Sequence, residues 1–100
     1  MEEELVFSKY DQDDIRNGYL NAFVRKEMYG HKNEIVKVPA YGFTFRMKVV
    51  KKTTLAEVAE NFIDDLELAY PEELEEYWLQ YYDEYNENMI VYFHEFKLLK

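Results

Sequence analysis

Between Thr53 and Phe96 there is no Lys or Arg, although that stretch holds thirteen Asp or Glu residues. An ordinary exposed helix mixes Glu with Lys and gains a few tenths of a kcal/mol per i,i+4 pair. A cation-free run forfeits those pairs and adds repulsion, which points to an electrostatic role. Cysteine is also missing. That excludes a disulfide framework, a Cys-based zinc site and a thiol nucleophile. Only three glycines are present, too few to place a phosphate-cradling loop. The chain has no G-x-S-x-G and no H-E-x-x-H motif, so neither an esterase elbow nor a zincin helix is expected. The start, Met-Glu-Glu-Glu, has the wrong charge for a secretory n-region. No run approaches the ~18 apolar residues of a membrane span. The expectation is a cytoplasmic protein with no membrane contact, no metal, no cofactor and no enzymatic activity.

Apolar residues make up 48% and aromatics 18% of 100 residues, enough for one packed domain over 1–100 despite a net charge of −9. The charge is distributed unevenly. Arg25 to Lys52 carries eight cations against Glu27 and Glu34, the reverse of the acidic stretch from Thr53 onward. A sequence pI near 4.6 argues against binding free nucleic acid or an anionic membrane, although the basic stretch leaves a small opening for either.

Hydropathy patterning predicts the elements. Leu5 to Tyr10 reads as a short strand. A helix is expected from Asp11 to about Tyr29, with Gly30 as its stop. Its apolar residues spill from one face onto another. Glu34 to Val38 and Phe43 to Val50 form a hairpin around Pro39-Ala40-Tyr41-Gly42, the second strand alternating with a period of two. Its outer face carries Arg46 and Lys48. Thr54-Leu-Ala-Glu57 is a capping box, and apolar residues at helical spacing continue to Tyr70. Pro71 opens another helix, which runs through Tyr85 and is ended by Asn86-Glu87-Asn88. Met89 to Leu99 reads as a buried strand. The order is (β)αββααβ. The fold class is α+β, a small antiparallel sheet of three or four strands with about three helices.

On these helices the acids fall into two rows. Glu57, Glu60, Asp64 and Glu67 lie within about 80° of one another at 100° per residue. Asp65 adjoins them. Glu72, Glu73, Glu76, Asp83, Glu84 and Glu87 group the same way on the next helix. Acids four apart stand about 6 Å apart along the axis, a length scale close to the phosphate spacing of a nucleic-acid strand. Tyr82 falls off the apolar stripe and suits a protein contact. The partner expected for this set is a nucleic-acid-binding protein with a basic groove. Two other readings stay open. The acids can be a solvated face, or they can pair with the basic hairpin, within one chain or between copies in a homodimer or scaffold.

Other patterns are weaker. Asp11-Gln-Asp13-Asp14 begins like a calcium loop, but Arg16 and Ala22 stand where Gly and Glu are needed. His94 lies on the face of Ile90, Tyr92 and Phe96, as a core or edge histidine. Crowded carboxylates are expected to have raised pKa values, so that stability rises from neutral pH toward about 5.

Small size, low pI, absent cysteine, many tyrosines and the segments Asp64-Asp65-Leu-Glu67 and Glu72-Glu73-Leu-Glu75-Glu76 carry a resemblance. As a class, the chain resembles the small acidic proteins that phages encode against host machinery, anti-CRISPR proteins and other DNA mimics among them. The likeness is compositional and covers the C-terminal half best. It implies a binding inhibitor acting in a host-cell cytoplasm. The basic hairpin departs from a uniformly acidic mimic.

Overall fold

A computed structural model describes residues 5–99. Residues 5–8 form no strand; Ser8 instead caps the first helix, α1 (Lys9–Arg16), its hydroxyl accepting from the Asp11 N–H. The helix stops at Asn17, and Gly18 adopts φ +81°, a left-handed conformation that glycine enters without a Cβ penalty. The chain then extends into β1 (Ala22–Arg25). The long helix expected over 11–29 is therefore two elements. All four residues of β1 are buried, so it lacks the alternation that marks a strand, and its apolar run passes for a second helical face.

The hairpin forms as expected: β2 (Ile35–Val38), a turn with Gly42 at φ +71°, and β3 (Phe43–Thr54). Phe43, Phe45 and Met47 point inward, but a bulge between Met47 and Val49 breaks the alternation. Val49, expected inside, is exposed. Thr54 ends β3 and caps α2 (Leu55–Asn61), its hydroxyl accepting from the Glu57 N–H. After a run of turns come α3 (Glu73–Leu79) and β4 (Ile90–Leu99).

The fold is α+β, with one antiparallel four-stranded sheet in the order β1-β4-β3-β2. β4 lies between β1 and β3, so β1 joins the sheet only through β4. Each face packs its own layer. One buries Phe23, Phe45, Met47 and Phe96 beneath Phe7 of the N-terminal segment and Ile15 of α1. The other buries Ala22, Val24, Val91 and Phe93 beneath Leu55, Val58, Leu74, Tyr77 and Trp78 of α2 and α3. Full burial of one such side chain is worth about 1.5–3 kcal/mol. Among the described residues no helix is long and apolar enough to cross a membrane.

Candidate functional site

The acids do not stand in two helical rows. α2 ends at Asn61, and Asp64, Asp65 and Glu67 follow in turns. Packing ends the helix. Phe62 stacks on Phe93 at 4.3 Å, and Leu66 must turn back into the same core. Glu67 sits at φ +59° to let it do so. α3 ends at Leu79, before Asp83, Glu84 and Glu87. There the Trp78 indole N–H donates to the Glu84 carbonyl at 2.7 Å, folding the chain across the helix end.

What survives is the charge. Of the thirteen acids, Glu57 pairs with Lys51 and Glu95 with Lys48, each at 3.6 Å. Among the described residues the other eleven, Glu60, Asp64, Asp65, Glu67, Glu72, Glu73, Glu75, Glu76, Asp83, Glu84 and Glu87, are exposed and make no ion pair. Glu73 has a local duty as well. Its carboxylate accepts from the Ala69 and Tyr70 N–H groups at 2.8 and 2.9 Å, holding the entry to α3. The Glu57 carboxylate accepts from the Thr53 hydroxyl. That bond, then Lys51, holds its pKa below the usual range. Asp65 moves the other way: partial burial, then Glu95 and Asp64, raise it. It lines a cleft of about 460 Å³ with Asp64, Glu67, Glu95, Lys48 and Lys97. Among the described residues no cluster of three or more His, Asp or Glu is arranged to hold a metal.

Tyr82, expected to be exposed, is half-buried. Its ring stacks on Trp78 at 4.3 Å, and its hydroxyl donates to Glu27 and accepts from the Lys26 N–H. It belongs to a set of tyrosines that tie the segment after α3 to the N-terminal half. Tyr77 and Tyr81 close around Arg25, which is buried without a carboxylate partner among the described residues. The guanidinium donates to the carbonyls of Val24 and Val6 at 2.7 and 2.8 Å and to the Tyr77 hydroxyl at 3.0 Å. It lies 3.8 Å from the centre of the Tyr81 ring. Burial opposes its charge, but Tyr77, Tyr81 and Tyr82 outweigh burial and its pKa is raised. In sequence Arg25 looks like one cation of a basic stretch; nothing in its neighbours marks it as buried.

His94 is in the core, as expected, stacked on Phe23 at 4.3 Å. Its Nε2 accepts from the Tyr29 N–H at 3.0 Å. Its Nδ1 is buried and has no hydrogen-bond partner among the described residues.

No family model, no curated protein and no solved structure matches the chain.

Proposed function

We propose that this protein is a binding inhibitor that occupies the basic groove of a nucleic-acid-binding protein, such as a CRISPR effector or another host defence or transcription protein. The observation behind this reading is the eleven exposed carboxylates that make no ion pair among the described residues. A surface of that kind offers a Lys- and Arg-lined groove the charge density of a polyanion. The acids lie on α3 and on irregular segments, so charge density, and not a regular phosphate spacing, is what they would copy. Binding then releases ions condensed on the partners and weakens steeply with salt.

The test is affinity capture from the lysate of a candidate host, comparing wild type with Glu72→Lys/Glu75→Lys/Glu76→Lys. These three side chains are exposed and make no ion pair among the described residues, and the choice spares Glu73 at the start of α3. The expected result is a nucleic-acid-binding protein held by wild type alone and released by added duplex DNA or RNA. Equal capture by a folded triple variant overturns the proposal.

A further inference from the structure

On the side of the sheet that carries α2 and α3, the helices cover only part of the strands. Ala22, Val24, Val91 and Phe93 are buried beneath them. The same face continues into the hairpin, where Ile35 pairs with Arg46 and Arg46 with Lys97, while Lys37 pairs with Thr44 and Thr44 with Leu99. Directly opposed residues share a face. Ile35, Lys37, Arg46 and Lys97 are exposed. Lys48 joins this face through its contact with Glu95. The result is an open, cationic floor beside an acidic helical layer, with a step between them about one helix diameter, ~10 Å, in height.

The floor is electrostatically unfinished. Arg46 and Lys97 stand directly opposite each other, and among the described residues neither makes an ion pair. Like charges directly opposed across strands are destabilising. An anionic cover removes that cost. Nucleic acid fits poorly here, because Asp64, Asp65, Glu67 and Glu95 line the cleft beside Lys48 and Lys97 and would repel phosphates. A second copy fits better. It brings Glu72, Glu75 and Glu76 on the exposed side of α3, with Leu79, 44% exposed, beside them to meet Ile35, 40% exposed. Floor and helices lie on the same side of the sheet. A two-fold axis running along the edge of the step, at half its height, therefore sets each copy's floor against the other's helices, and the two steps fill one another. Such a contact is self-complementary and closes at two subunits.

We infer that the open sheet face of Lys37, Arg46 and Lys97 docks the acidic α3 of a second copy, reciprocally, in a two-fold dimer. This contact does not rest on the inhibitor reading. Reversing Arg46 and Lys97 leaves Glu72, Glu75 and Glu76 in place, so dimerisation and target capture can fail separately.

The test is sedimentation equilibrium on the full chain at low salt, with circular dichroism confirming that each variant is folded. Wild type is expected to dimerise, and to dissociate as salt approaches about 1 M, where the Debye length is about 3 Å. Arg46→Glu/Lys97→Glu and Glu72→Lys/Glu75→Lys are each expected to be monomers. Mixed together they should form a heterodimer, because both reciprocal contacts then join opposite charges. A wild type that stays monomeric overturns the inference, as does a folded Arg46→Glu/Lys97→Glu variant that still dimerises, or a mixture that does not associate. A monomeric wild type that binds a labelled oligonucleotide through Arg46 and Lys97 reassigns the face to nucleic acid.

Discussion

Arg25 is a buried cation in an acidic protein, neutralised by no carboxylate within ion-pair distance among the described residues. Carbonyl oxygens, a hydroxyl and ring faces share the work, and the Tyr81 hydroxyl donates in turn to Asp11. Arg25→Met keeps most of the volume but strips donors from the Val6 and Val24 carbonyls. The expected loss is about 1–3 kcal/mol, the usual cost of leaving buried polar groups unpaired, read from urea denaturation. His94 makes a second prediction with a definite sign. Burial, with Arg25 adding to it, pushes the imidazole pKa from its ordinary 6.5 down to about 4, against smaller opposing contributions from Phe23 and Tyr92. Between those values the unfolded chain takes up a proton that the folded chain refuses. Stability from this group is complete above about pH 6.5 and lost as pH falls toward about 4, roughly 3 kcal/mol in all. Asp65 acts oppositely, since its raised pKa favours the fold as pH falls. It is exposed, and its effect is smaller. One buried histidine should therefore outweigh the rise in stability toward pH 5 expected from carboxylate crowding. His94→Gln retains an acceptor for Tyr29 and should flatten the slope between pH 7 and pH 4.5 in chemical denaturation. An unchanged slope would place the acid sensitivity elsewhere.

At the scale of elements, two glycines with left-handed backbone, Gly18 after α1 and Gly30 in the bend between β1 and β2, differ in what surrounds them. Gly18 and Gly30 have φ +81° and +84°. A Cβ on Gly18 meets nothing within 4 Å, whereas on Gly30 it would stand 2.5 Å from Val36 Cγ2 in the edge strand β2. Gly18→Ala should cost only the left-handed backbone strain, about 1–2 kcal/mol. Gly30→Ala should cost more, because the Val36 side chain must also give way, and amide exchange at Val36 should quicken in that variant alone. The same segments show what could be read from sequence. The hairpin was legible because Phe43, Phe45 and Met47 face a core while Thr44 and Arg46 do not, which is the condition for a period of two. The Thr54 cap and the strand of β4 were legible as well, from a local hydroxyl and from apolar density. β1 was not. With Phe23 packed into one layer and Ala22 and Val24 into the other, it has no polar face to mark its period. Of the candidate site, exposure of the acids followed from their charge alone. Their placement did not, because tertiary demands on Phe62, Leu66 and Trp78 ended both helices early.

For the whole molecule, two opposing electrostatic effects act on the same chain. Within a subunit, the unpaired carboxylates repel one another, so added salt should stabilise the fold. Between subunits, floor and helix attract, so added salt should remove whatever stability the dimer contributes. Only the second effect depends on protein concentration, because association stabilises the folded state by mass action. Thermal melts in a grid of salt and protein concentration separate them. At high dilution the midpoint should rise with salt, by several degrees for a gain of about 1 kcal/mol in a chain of this size. At high concentration and low salt it should start higher, and the two curves should converge as salt dissociates the dimer. Arg46→Glu/Lys97→Glu should give a single curve at every protein concentration, set lower at low salt by its net charge, four units more negative. Curves that never separate would mean that the cationic floor finds no second copy. A midpoint that falls with salt even at high dilution would mean that Lys48–Glu95 and Lys51–Glu57, the pairs joining hairpin to acidic half, outweigh the repulsion among the other eleven acids.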